Sequence, residues 1–186
     1  MLQAHAKPVI ALKSGTTEAG TRASSSHTGS LAGSDAAYSA LFRQARIIRS
    51  DSFSDLLDAL LLFSKNPLPS GTRVAVITNA GGLGVLASDA LTRAGLSVPA
   101  LSQATQDALR PLMPQAASVT NPIDVLGDAN ASRYQDALRI VGQDPQVDMI
   151  LFIVTPQSMT EGKETAEALV AFKKSTQLPI AAVFAG

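Results

Sequence analysis

Cysteine and tryptophan are absent from these 186 residues, aromatic side chains make up only 4% of them, and histidine occurs twice. Without cysteine there is no disulfide, no thiolate metal site and no thiol nucleophile, and a reducing cytoplasm is the simplest home. The two histidines, His5 and His27, stand well apart with no thiolate to join them, so zinc lacks a ligand set. Net charge is missing too: 15 basic and 15 acidic side chains cancel, and no run of one sign occurs. Nucleic acid needs a basic face to neutralise its phosphates, and single strands need aromatic platforms to stack on. Neither is present. No stretch reaches the roughly 20 apolar residues of a membrane span, and residues 1–20 carry no signal-peptide pattern.

What is present is a 46% hydrophobic chain with alternating strand and helix signals, long enough for one domain or two small ones. The apolar run Pro8–Leu12 predicts a strand, followed by a glycine-punctuated loop, Ser14–Gly20, and a small-residue loop around His27. Helices are predicted over Ala36–Gln44 and Phe53–Phe63, the second with Ser52 as N-cap. Pro67-Leu68-Pro69-Ser70-Gly71 breaks the chain, giving domains of residues 1–69 and 70–186. In the second, Arg73–Thr78 is a β-branched run of the buried parallel type. Asn79–Gly84 turns tightly into a helix over Val85–Ala94, capped by Gly95. A short strand at Leu96–Val98, helices over Gln103–Leu112, Arg133–Val141 and Thr160–Lys174, and strands Met149–Val154 and Ile180–Phe184 complete it. This alternation predicts an α/β fold with a doubly wound parallel sheet. The chain opens almost on a strand and stops at the end of another, as an excerpt of a longer polypeptide would.

Two loops share one design, in which a strand ends, small residues follow and a helix begins. One is Ser24–Asp35 with His27; the other is Asn79–Gly84. Uncovered backbone N–H groups and the positive end of a helix dipole make such junctions receptive to phosphate, and ligands of open α/β sheets gather at the carboxyl ends of strands. A neutral imidazole at such a place can also take a phosphoryl group covalently. A capping or loop histidine is the plain alternative. The second loop lacks the G-x-G-x-x-G spacing, no P-loop occurs, and no Gly-x-Ser-x-Gly elbow supports a serine triad. Asn121-Pro122-Ile123-Asp124 reads equally as a turn with a capping aspartate, and Lys163 and Glu164 as solvated helix residues.

Four stretches together resemble the acyl-CoA synthetases that form a nucleoside diphosphate, relatives of succinyl-CoA synthetase. They are Lys7–Gly15, Ser25–Ser34 with its Ser-His-Thr-Gly-x-x-Ala-Gly-Ser pattern, Ile77–Gly84 and Asn121–Asp124, and the resemblance spans essentially the whole chain. It implies flavodoxin-like domains and a phosphohistidine at His27 that exchanges its phosphoryl group with ADP. Ser26, Thr28, Gly29 and Ser30 would shape that segment, and Asn79, Ala80, Gly81 and Gly82 would form a second phosphate site. In the family two helix N-termini aim at the phosphate; here they would be those of the helices after Gly33 and after Gly84. The resemblance also implies a Rossmann-type CoA-binding domain and an ATP-grasp domain as partners, neither within this chain, and a small carboxylic acid as substrate. CoA, ATP or ADP and magnesium would serve the full-length enzyme, with no cofactor held by this fragment alone. A homo-oligomer is compatible with an open sheet edge. Arg46 stands where relatives have glycine; a left-handed cap there costs on the order of 1 kcal/mol, so the helix is expected to end differently. Two other readings compete: a catalytically silent, ligand-sensing module of a protein acetyltransferase, and a structural subunit that only binds an ATP-grasp chain.

Overall fold

The computed structural model describes residues 7–28 and 34–185. They divide into two compact units, Met1–Lys65 and Asn66–Gly186.

In the first unit, β1 (Ile10–Leu12) pairs in parallel with β2 (Ile48–Ser50), and three helices accompany them: α1 (Glu18–Thr28), α2 (Asp35–Ala45) and α3 (Phe53–Lys65). Helix α1 corrects the loop expected at Ser14–Gly20 and around His27. Thr17 caps it, its Oγ1 accepting the Gly20 N–H at 3.1 Å, and Glu18 favours the positive end of the new helix. Helix α2 is capped by Ser34, whose Oγ accepts the Ala37 N–H at 3.1 Å. At its other end Arg46 adopts φ 56° and ψ 36°, and the Ile47 N–H reaches back to the Phe42 carbonyl at 2.8 Å. The helix therefore does end in a left-handed cap, with an arginine bearing the strain that glycine avoids. Ser52 caps α3 as expected, accepting the Asp55 N–H at 3.1 Å. Leu56 and Phe63 turn inward on α3, whereas Phe53, Leu57, Leu60 and Leu61 stay exposed.

The second unit is a four-stranded, all-parallel sheet in the order β4-β3-β5-β6, formed by β3 (Val74–Thr78), β4 (Ile123–Asp124), β5 (Met149–Val154) and β6 (Ile180–Phe184). Alternate residues of β3 face opposite layers. Ala75 and Ile77 join Phe152, Tyr134, Leu138 and Leu109 on the side of α5 (Gln103–Leu109), α6 (Ala131–Val141) and α7 (Gly162–Ser175). Val74 and Val76, with Ile153, meet Leu83, Ala87 and Leu91 of α4 (Gly81–Arg93). Helices on both faces make this the doubly wound, flavodoxin-like arrangement.

Three boundaries differ from expectation for identifiable reasons. Helix α4 begins at Gly81 rather than Val85, because its glycines belong to the first turn of the helix and not to the approach to it. Leu96–Val98 contributes only an isolated bridge between Ser97 and Arg73. Helix α5 stops at Leu109 and tightens into a 3₁₀ turn over Arg110–Leu112, where Pro111 has no N–H to continue the α-helical ladder. Gly95, with φ 83°, follows α4 as foreseen.

At the amino end of the sheet Arg73 and Asp148 form a bidentate pair, with Nη2–Oδ1 at 2.7 Å and Nε–Oδ2 at 2.9 Å. The Arg73 backbone N–H also donates to Oδ2 at 2.9 Å.

Candidate functional site

The carboxyl end of β3 is built from its own side chains. Thr78 folds over the turn, its Oγ1 accepting the Ala80 N–H at 3.0 Å. Asn79 is buried, and its amide is tied to the residue after β5 through three hydrogen bonds. Nδ2 donates to the Thr155 carbonyl at 2.9 Å, while Oδ1 accepts the Thr155 N–H at 2.8 Å and its hydroxyl at 3.0 Å. The tie spans the point where the strand order reverses, with β4 on one side of β3 and β5 on the other. Ligands of such sheets settle there.

Directly above it α4 begins with Ala80 at the N-cap position, without a side-chain cap. The Gly84 N–H makes the first turn's bond, to the Ala80 carbonyl at 3.1 Å. The amides ahead of it, those of Gly81, Gly82 and Leu83, have no acceptor within the helix. The three glycines of this turn do different things. A Cβ on Gly81 would lie 2.7 Å from Asp124 Oδ2, and one on Gly84 would lie 3.2 Å from both Pro122 Cβ and Thr78 Cγ2. Those two let the helix sit down on β3 and β4. Gly82 faces nothing within 4 Å, so its backbone is open to an approaching group.

The starts of α5 and α6 are closed by the chain itself, whereas α7, after β5, has Glu161 at its N-cap without a side-chain cap and Gly162 facing nothing within 4 Å. At α5, Ser102 Oγ accepts the Thr105 N–H at 3.3 Å and Asp144 Oδ2 accepts the Ser102 N–H at 2.8 Å. Burial alone would push the Asp144 carboxyl up, but hydrogen bonds from Thr105, Gln146 and Ser102 outweigh it and hold the group below the usual range. At α6, Asn130 accepts from Arg133 N–H at 3.1 Å and Glu161 from Ala131 N–H at 3.0 Å. A separate apolar recess of about 230 Å3 lies at the carboxyl ends of β5 and β6, lined by Val154, Pro156, Thr160, Gly162, Phe184 and Ala185.

The expected site residues fall out unevenly. Gly81 and Gly82 open α4 and present backbone. Asn79 and Ala80, expected to bind phosphate, have hydrogen bonds within the chain, Asn79 with Thr155 and the Ala80 amide with Thr78. In the first unit His27 stands in the last turn of α1, and Ser26 Oγ donates to the Arg22 carbonyl at 3.0 Å. The side chains of His27 and Thr28, and all of Gly29 and Ser30, lie outside the described residues. The helix after Gly33 is α2, whose start is occupied by Ser34 and by Asp35, the latter paired with Arg49 at 2.8 Å.

Asn121 is the member of this region whose role the sequence did not disclose. Its Oδ1 accepts the Val76 N–H at 2.9 Å, and its Nδ2 donates to the Val74 and Pro99 carbonyls at 2.9 and 2.8 Å. Because β4 pairs with β3 only at Ile77 and Thr78, the amide of Asn121 completes the ladder further back. A carboxamide has the donor and acceptor of a peptide group, which is why asparagine serves here.

A flavodoxin-like sheet with an uncapped, glycine-built helix start over its switch point is the architecture of a doubly wound α/β domain whose helix start has the geometry to receive an anion. Comparison with known proteins narrows this. Residues 2–63 match the model of the succinyl-CoA ligase like flavodoxin domain, and residues 74–186 match that of the ligase-CoA domain. The alpha subunit of ADP-forming acetate–CoA ligase II from Pyrococcus furiosus is 41% identical over 164 residues, covering 84% of this chain and 36% of that protein. The ADP-forming 4-hydroxybutyrate–CoA ligase of Nitrosopumilus maritimus is 35% identical over 168 residues, 90% of this chain and 24% of that one. Among solved structures, acetyl-coenzyme A synthetase 1 of Ca. Korarchaeum cryptofilum, determined with phosphate and ADP, superposes with a TM-score of 0.88 at 32% identity, over 96% of this chain and 39% of that one. The chain belongs to the succinyl-CoA synthetase-like family of CoA ligases, and it spans well under half the length of these relatives. The relatives named are ligases, so the acetyltransferase-module reading has no support among them.

Proposed function

We propose that this chain is part of an ADP-forming acid–CoA ligase, converting acid, CoA and ATP into acyl-CoA, ADP and phosphate, with residues 1–69 contributing the phosphohistidine segment and residues 70–186 a ligase-type domain. The observation that carries the reading is the start of α4: a bare N-cap at Ala80, Gly82 with open space before it, and the switch point of the sheet beneath. In the ligase direction His27 attacks the γ-phosphorus of ATP and ADP leaves. The phosphoryl group then passes from His27 to the carboxylate of the acid, giving an acyl phosphate. The CoA thiol attacks its carbonyl carbon and expels phosphate. The amides of Gly81, Gly82 and Leu83, with the half-charge of the α4 dipole, supply a seat for the phosphate dianion. Thr28, Gly29 and Ser30 are assigned with His27 to the phosphohistidine segment, and Ser26 Oγ bonds back to the Arg22 carbonyl within α1.

Asn79 acts at one remove, by holding the turn that aims those amides. The apolar recess beside Val154 and Phe184 has the size to receive the carbon chain of a short acid. CoA, nucleotide and magnesium are assigned to a Rossmann-type domain and an ATP-grasp domain in the larger enzyme. Among the described residues no group of three or more acidic or histidine side chains comes together to hold a metal ion. Incubating the full-length enzyme with γ-labelled ATP is expected to give an acid-labile, base-stable label that disappears in His27→Ala. Undiminished labelling of that variant overturns the assignment.

A further inference from the structure

The start of α4 has a carboxylate beside it that does not cap it. Ile123 points into the core, so Asp124, the next residue of β4, turns to the opposite face, on which α4 lies. Register places it directly across from Thr78, the last residue of β3. Its two oxygens have different surroundings. Oδ1 accepts the Leu126 N–H at 2.9 Å, which fixes the side-chain rotamer. Oδ2 lies against Gly81, close enough that any side chain there would meet it. Among the described residues no ion pair engages Asp124. Its field reaches α6, where burial first and the Asp124 charge second push the Tyr134 hydroxyl up and keep it protonated. Glu161, by contrast, puts its carboxylate on the Ala131 N–H and closes the start of α6.

We propose that Asp124 is a specificity-determining residue, a fixed negative charge at the rim of the phosphate seat that keeps the affinity for free phosphate low. The proposal rests on the reading of α4 as that seat. A dianion on the Gly82 and Leu83 amides gains from the helix end and loses to Asp124 a few ångströms away. A like charge at that distance in a partly solvated site changes affinity by about five- to twentyfold at low ionic strength. Product phosphate is then released readily. A phosphoryl group delivered covalently, whose attachment offsets the repulsion, is tolerated.

Amide chemical shifts of Gly82 and Leu83 in the 186-residue chain, titrated with inorganic phosphate, test this. The variants are Asp124→Asn and Asp124→Ser, the second retaining a hydroxyl acceptor for the Leu126 N–H should the first fold poorly. Both are expected to tighten phosphate binding about five- to twentyfold at low salt, with the gain shrinking at high salt. A purely structural effect has no such salt dependence. Shifts at Gly82 and Leu83 with unchanged or weaker affinity in both variants refute the role of Asp124 and leave the seat intact. No shift at these amides in any of the three proteins refutes the seat itself, and the proposal with it.

Discussion

Replacing Asn121 by alanine removes three hydrogen bonds at once, and the cost follows from what is left behind. The Val76 N–H loses its acceptor in a strand whose side chains are entirely shielded, and the Val74 and Pro99 carbonyls lose their donor. A buried donor left without a partner costs about 1–3 kcal/mol, and each net bond lost to a carbonyl adds about 1 kcal/mol. Asn121 also has φ 149°, a backbone region that alanine tolerates no better than asparagine, so relaxation of the backbone recovers nothing. The sum is about 3–5 kcal/mol. With a urea m-value of about 2 kcal/mol/M, the unfolding midpoint of the second unit falls by roughly 1.5–2.5 M. Urea denaturation followed by far-UV circular dichroism measures this, and faster hydrogen exchange at the Val76 amide localises it. A loss below about 1 kcal/mol refutes the view that this amide completes the β3 ladder.

Two further expectations concern charge and backbone strain. The Arg73 guanidinium, by its hydrogen bonds first and its backbone N–H second, holds the Asp148 carboxyl well below the usual carboxylate range, against the opposing effect of burial. A carboxyl depressed on folding stabilises the fold above its unfolded value near about 4, and that stability is lost as pH falls through the lowered folded value. Unfolding midpoints measured from neutral to strongly acidic pH are therefore expected to decline, and Asp148→Asn to flatten that decline while lowering the neutral plateau. Arg46→Gly relieves the left-handed residue after α2 and is expected to stabilise the first unit by on the order of 1 kcal/mol, read as a rise of a few degrees in its thermal midpoint. An unchanged or lower midpoint overturns the strain argument.

The sequence disclosed elements wherever the deciding interaction is local. Met149–Val154 and Ile180–Phe184 are bounded to the residue, because uninterrupted apolar runs between turn signals read as parallel strands, although β6 at the sheet edge buries only Ile180. The Ser52 cap was equally legible, since cap and helix adjoin. Helix α1 was not. Its cap, Thr17, stands among glycines, serines and threonines that each favour loops, and the Gly20 N–H on the Thr17 hydroxyl, with Glu18 in the first turn paired to Arg22, tips the balance.

The glycines of α4 mislead in the same direction. Local propensity makes Gly81-Gly82-Leu83-Gly84 a turn, but the helix start packs so close to Asp124, Pro122 and Thr78 that Gly81 and Gly84 have little room for a side chain, and Asp124 and Pro122 are distant in sequence. Asn79 and Asn121 are the sharpest case. Their partners lie 76 and 45 positions away, so the motif around each could be recognised while the work of its side chain could not. A candidate binding residue in this fold must therefore be tested for spare hydrogen-bonding capacity before it is assigned to a ligand. By that standard the proposed phosphate seat rests on the glycines whose contribution is backbone, with the asparagine that precedes them bracing the turn through Thr155.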